Sequence, residues 1–136
     1  MDAPRRWLLL LGSSLPDDAR VRAALDRLAE LGAAAPLTPI RRFPSHSGGG
    51  EYYNALARLD AALGRAALRE RLRALEAALG RRRDVPGEVA IDVDILAGLD
   101  GTRWRADPHA RAKGEFGRAP VQALLRQAGI GDVDMG

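Results

Sequence analysis

Asp92 and Asp94 stand two apart in the run Ile91-Asp92-Val93-Asp94-Ile95. In a β-strand, residues i and i+2 share a face. The three apolar residues then turn to a core, and the two carboxylates project together from the other side, with Cα atoms roughly 6.5–7 Å apart. Two anions that close repel each other unless a cation lies between them. Mg²⁺ suits that place, because it is a hard ion held by one or two carboxylates and completed by phosphate oxygens. An exposed strand face with two solvated acids would carry the same pattern, so the surrounding residues have to decide.

Arg81-Arg82-Arg83 ends nine residues before Asp92. Guanidinium groups there could neutralise phosphates bridged by a metal; they could equally answer the negative end of a helix dipole. Gly12-Ser13-Ser14 falls between an expected strand and an expected helix, a common place for phosphate, but without a Gly-x-Gly-x-x-Gly pattern or a Walker A lysine. Tyr52 and Phe116 lie in or beside expected loops of a chain that is 4% aromatic. They could stack on a flat heterocycle or simply pack at the rim of a core. His46 and His109 are the only histidines. They lack Glu or Cys at ligand spacing, which argues against zinc. No Ser/His/Asp or Cys/His nucleophile arrangement is present.

The elements that must hold these residues follow from periodicity. Trp7 to Leu11 is a short apolar run closed by Gly12, which suits a buried central strand. Pro16, Asp17 and Asp18 open a helix whose Val21, Leu25, Leu28 and Leu31 share a face, and Gly32 ends it. Leu37 to Phe43 reads as a second strand, at an edge or bulged because of Pro39. Pro44 to Gly50 reads as a mobile loop. Tyr52 to Leu59 reads as a third strand, with Tyr53, Ala55, Ala57 and Leu59 on one face, although its alanines would also permit a helix. Gly64 to Leu79 is a helix with Leu68, Leu72, Leu75 and Leu79 as its apolar stripe. Arg65, Arg69 and Arg73 line another of its faces. Val89 to Leu96 is the fourth strand, Gly98 to Gly117 is irregular, Ala119 to Ala128 is a last helix, and the tail is frayed. The expected fold is α+β: a ferredoxin-like βαββαβ unit, an antiparallel sheet with helices on one face, plus a C-terminal extension.

The chain has 136 residues, 46% hydrophobic and 29% charged. That is one globular domain, 1–136, with a core of its own. It has no cysteine, which excludes disulfides and thiolate metal sites and agrees with a reducing cytosol. The net charge of +3 is carried almost wholly by arginine, Lys113 being the only lysine. Arginine favours phosphate ligands, although a GC-rich genome would produce the same bias. Trp7–Leu11 is too short for a membrane span or a signal peptide core. A cytoplasmic protein with no membrane partner is expected.

In order and spacing, several segments together resemble the 6-hydroxymethyl-7,8-dihydropterin pyrophosphokinase family, from about Trp7 to about Leu125. They are Leu11-Gly12-Ser13-Ser14-Leu15, Tyr52-Tyr53-Asn54-Ala55, Leu75-Glu76 with Leu79-Gly80-Arg81-Arg82-Arg83, Ile91-Asp92-Val93-Asp94-Ile95, and Pro108-His109 with Phe116 and Pro120. The resemblance implies transfer of pyrophosphate from ATP to a pterin, with AMP released. It implies two Mg²⁺ ions on Asp92 and Asp94. Arg81 and Arg83 would meet phosphate, and Glu76, Ile95 and His109 would complete the ATP site. Asn54 would bind the pterin edge, with Tyr52 and Phe116 stacking on its ring. Asp92, Asp94, Arg81 and Arg83 would carry the catalysis.

The chain also departs from that family. The segment Asp84–Val89 is about two residues shorter and lacks the family's Trp and Arg. Phe43 to Gly48 replaces a Thr-Pro-Pro-Leu-Gly loop, Ser14 stands for an Asn, and Glu115 stands for an Arg. A non-catalytic pterin- or nucleotide-binding paralogue is therefore the alternative. The expected partners are the small molecules alone, bound by a monomer. A nucleic-acid module of the same fold would need exposed aromatics where the sheet offers carboxylates.

Overall fold

The computed structural model describes residues 5–45, 50–84 and 88–136. Along the chain run β1 (Arg5–Ser13), α1 (Ala19–Arg27), β2 (Ala33–Pro36), β3 (Arg41–Pro44), β4 (Glu51–Ala61), α2 (Arg65–Ala78), β5 (Asp92–Asp100), β6 (Arg103–Ala106), α3 (Pro108–Ala112), α4 (Ala119–Gln127) and β7 (Val133–Asp134). One open sheet takes the order β2-β4-β1-β5-β6-β7, with β3 also on β4. All its pairings are antiparallel except β6 with β7.

β1 lies between β4 and β5 and is buried from Trp7 to Ser13. Its side chains alternate between two cores. Trp7, Leu9 and Leu11 join Val21, Leu28, Leu68, Leu72 and Leu75 under α1 and α2. Leu8 and Leu10 join Leu56, Leu96, Ala110, Val121 and Leu124 under α3 and α4. Helices thus cover both faces, not one. The unbroken apolar run is the physical reason: a strand apolar on both sides needs a layer on each. The C-terminal extension supplies the second layer.

The expected second strand is two short strands. Pro36 pairs with Ala57 and Arg41 with Asn54, so four residues, 37–40, pass opposite two. Pro39 has no N–H to give a ladder. Thr38 Oγ1 instead accepts from the Leu56 N–H at 3.1 Å, and the Leu37 N–H donates to the Leu56 carbonyl at 2.9 Å.

The region from Gly98 is not irregular. β5 continues to Asp100, turns at Gly101 (φ +64°) and returns as β6. The tail is not frayed either: β7 lies beside β6, and the Arg111 guanidinium donates to the Met135 carbonyl. Between Leu8 and Leu9 the β1–β5 register shifts, so Leu96 is an extra residue on β5. This bulge lets Leu96 and Ala97 both enter the second core and increases the local twist.

Candidate active site

The acids of β5 belong to a row laid across three strands. In register, Asn54 of β4 lies beside Gly12 of β1, and Gly12 beside Asp92; Leu10 pairs with Asp94. Paired residues in antiparallel strands share a face, so these side chains occupy the face of Leu8 and Leu10. Gly12 keeps the row open, because a Cβ there would stand 2.7 Å from Asn54 Nδ2. Asn54 Nδ2 donates to the Leu11 carbonyl at 3.2 Å, which fixes how its amide faces.

A cavity of about 550 Å³ opens over this row, walled by Leu10, Phe43, Tyr52, Val121, Glu115 and Arg118 besides Asn54, Asp92 and Asp94. It is mostly apolar, with few polar groups convergent on one side, the usual composition of a small-molecule pocket. Tyr52 and Phe43 are register partners on β4 and β3.

A second cavity, of about 140 Å³, lies around the N-terminal half of β5. β6 pairs only with residues 97–100 of that strand, so the edge at 92–95 is left to α2 and α3. Asp92 and Asp94 line this cavity too, with Glu76, Arg81, Arg83 and His109. Glu76 is buried. Its Oε2 accepts from the Val93 N–H at 2.7 Å and its Oε1 from Arg83 Nη2 at 2.9 Å. It ties α2 to β5 and holds Arg83 in place. Arg81 differs: its Nε and Nη1 are buried with no hydrogen-bond partner among the described residues. Buried guanidinium nitrogens without acceptors are costly unless an anion completes them.

The electrostatics agree. Burial pushes the Asp94 carboxyl up to about 8, and the neighbouring Asp92 and then Glu115 push in the same direction. Burial also raises Glu76 to about 7, against the Val93 N–H, with Asp92 adding to the rise and Arg83 opposing it. Buried carboxylates crowded against one another repel, and a cation held directly between them relieves that repulsion. Two hard oxygen donors so placed fit Mg²⁺, which takes the rest of its shell from phosphate and water. Among the described residues, no group of three or more His, Asp or Glu converges as an all-protein metal cage.

α3 is set by Asp107, which is buried. Its carboxylate caps the helix, accepting from the His109 N–H at 3.1 Å and the Ala110 N–H at 3.3 Å. It pairs with Arg65 through both oxygens, and the Asp107 N–H donates to the Leu96 carbonyl at 2.8 Å. These bonds dock α3 on β5 and bring His109 to the polar cavity.

The structure therefore gathers Glu76, Arg81, Arg83, Asp92, Asp94, Ile95 and His109 around one cavity, and Tyr52, Asn54, Asp92 and Asp94 around the other. Phe116 does not join Tyr52. Gly114 (φ +72°) and the short turn Glu115–Gly117 aim Phe116 at the α4 core and bring Glu115 to the cavity. Phe43 is the aromatic opposite Tyr52, and only the β3–β4 pairing reveals it. Ser13 and Ser14 form no open phosphate turn: the Ser14 N–H donates to the Val89 carbonyl at 2.8 Å, and Ser14 Oγ accepts from the Val89 N–H at 2.8 Å. His46 and residues 85–87 of the shortened segment lie outside the described residues. Among the described residues, no helix is long and apolar enough to cross a membrane.

Residues 8–125 match the family model of 7,8-dihydro-6-hydroxymethylpterin-pyrophosphokinase, and the chain belongs to that family. No curated protein matches it.

Proposed function

We propose that this family member transfers the pyrophosphoryl group of ATP to the hydroxymethyl oxygen of 6-hydroxymethyl-7,8-dihydropterin, a step of folate biosynthesis. The observation that carries the proposal is that Asp92 and Asp94 line both cavities, one apolar and one cationic. A heterocycle in the first and a phosphate chain in the second would meet at this pair.

The chemistry asks little of the chain beyond position and charge. The substrate hydroxyl oxygen attacks the β-phosphorus, the bond from that phosphorus to the α–β bridging oxygen breaks, AMP departs with that oxygen, and the hydroxyl proton is lost. Asn54 spends one N–H on Leu11, which leaves one donor and one acceptor for the N–H/C=O edge of a pterin. Tyr52 and the apolar wall flank the ring and exclude water. Arg81 supplies its unpartnered nitrogens to phosphate, and Glu76 holds Arg83 beside it. Asp92 and Asp94 would hold two Mg²⁺ ions, which neutralise phosphate charge when bound. The family's need for Mg²⁺ and ATP accords with this donor set.

Full-length protein with Mg²⁺, ATP and the pterin should release AMP, and release should depend on all three. Background AMP from the wild-type chain would refute the catalytic claim. One observation favours a second reading, binding without turnover. Glu115 is a buried acid at the wall beside Asp94, and among the described residues one of its oxygens pairs with Arg118 at 3.0 Å while the other finds no partner. Calorimetric binding of pterin and nucleotide with no AMP formed would select that reading.

A further inference from the structure

The arginine stripe of α2 is only partly structural. Arg65, Arg69 and Arg73 lie at i, i+4 and i+8, one above another on a single helix face. Arg65 is consumed by Asp107. Arg69 and Arg73 line the polar cavity, and neither makes a hydrogen bond or ion pair among the described residues. Lys113, at the C-terminal end of α3, lines the same space.

The charges do not balance without a ligand. Arg69, Arg73, Arg81, Arg83 and Lys113 line the cavity against Glu76, Asp92 and Asp94. Glu76 is occupied by Arg83, and Asp92 and Asp94 face a metal in the proposed function. Arg81 carries buried nitrogens with no acceptor among the described residues. No Phe, Tyr or Trp lines the space, so it suits a phosphate chain better than a base.

We infer that Arg69 and Arg73 form a further phosphate-binding pair, which grips a polyphosphate chain from the α2 side, opposite the metal-bearing acids. The inference rests on taking this cavity as the nucleotide-phosphate site. The pair acts by direct contact with phosphate oxygens, where guanidinium gives bidentate, charge-assisted hydrogen bonds. Arg71, on the same helix but exposed and outside the cavity, has no such part.

The test is calorimetric titration of the full chain with inorganic tripolyphosphate in Mg²⁺ buffer, comparing wild type, R69Q/R73Q, R69K/R73K and R71Q. Wild type should bind, and R69Q/R73Q should bind about tenfold or more weakly, as loss of charge-assisted hydrogen bonds implies. R69K/R73K should recover part of the affinity, and R71Q should match wild type. Unchanged thermal melting of R69Q/R73Q would show that folding is not the cause. Wild-type affinity in R69Q/R73Q, an equal loss in R71Q, or no binding by wild type would overturn the inference. Arginine-dependent tripolyphosphate binding in a chain that makes no AMP would keep this pair and discard the pyrophosphokinase reading.

Discussion

Asn54 and Asp92 face each other across Gly12, on three adjacent strands, with no side chain between them. In the proposed function, a pterin edge held at Asn54 would therefore lie two strands from a carboxylate that faces phosphate. The separation of two strand spacings, roughly 9.5–10 Å between outer backbones, leaves room for a flat ring and its hydroxymethyl arm.

Gly12→Ala should injure pterin use before anything else. The new Cβ would stand 2.7 Å from Asn54 Nδ2, so Asn54 must leave the Leu11 carbonyl. The KM for pterin should rise, with the KM for ATP little changed and stability lower by about 1–2 kcal/mol for the crowding. Steady-state kinetics in both substrates, with a denaturant melt, check this. Equal rises in both KM values would contradict the placement of Asn54.

The metal-free chain should lose stability as pH rises. Asp94 ionises near 8 in the folded chain against an ordinary carboxylate value near 4 when unfolded. Between those values the folded state binds the extra proton, so unfolding free energy falls with rising pH. In the proposed function, Mg²⁺ at Asp94 would replace that proton. The rise in melting temperature on adding Mg²⁺ should be larger at about pH 8 than at about pH 6. Asp94→Asn should flatten the metal-free pH slope and most of the Mg²⁺ effect. A Mg²⁺ shift independent of pH would argue against this pair as the metal site.

Asp107 should show the opposite sign. Burial raises its carboxyl, but Arg65 and the N–H groups of Ala110 and His109 outweigh that and hold it below the usual range. Its contribution is complete above the unfolded value near 4 and is lost as pH falls through the lower folded value. Asp107→Ala removes a helix cap and an ion-pair partner together, and should cost about 2 kcal/mol. ATP use should weaken as α3 and His109 shift. Urea unfolding at about pH 7 and about pH 3 separates the variants: the gap should shrink at the lower pH.

Glu76→Gln keeps the shape and the bond from the Val93 N–H but loses the charge facing Arg83. Stability should change little, while Arg83 is released and the KM for ATP rises. Glu76→Ala strands the buried Val93 N–H and should cost about 1–3 kcal/mol. Unchanged ATP kinetics in Glu76→Gln would show that Arg83 needs no such tether.

Much of this was legible before the structure. The Trp7–Leu11 run marked the central strand, and the alternation of Tyr53, Ala55, Ala57 and Leu59 marked β4, whose other face then delivers Tyr52 and Asn54. The Asp92/Asp94 spacing placed both carboxylates on one face. What was missed depended on contacts distant in sequence. The fourth strand was expected to end at Leu96, with an irregular stretch from Gly98, yet β5 continues through that glycine. A Cβ there would come within 3.2 Å of the Trp7 ring, so that glycine makes room for packing. The two-sided core required knowing that Val121 and Leu124 return to Leu8 and Leu10. The exchange of Phe116 for Phe43 beside Tyr52 depends on a strand pairing and a glycine turn, which local pattern does not encode. Family membership covers residues 8–125, a span that includes the departures at Glu115 and 84–89.

The most direct test is a crystal structure of the full chain with Mg²⁺, the pterin and an ATP analogue whose α–β bridging oxygen is replaced by methylene. The expected result is metal on Asp92 and Asp94, phosphate against Arg81, and the pterin edge on Asn54 within the apolar cavity. Metal bound elsewhere, or phosphate in the apolar cavity with the pair unliganded, would contradict Asp92 and Asp94 as the meeting point of the two substrates.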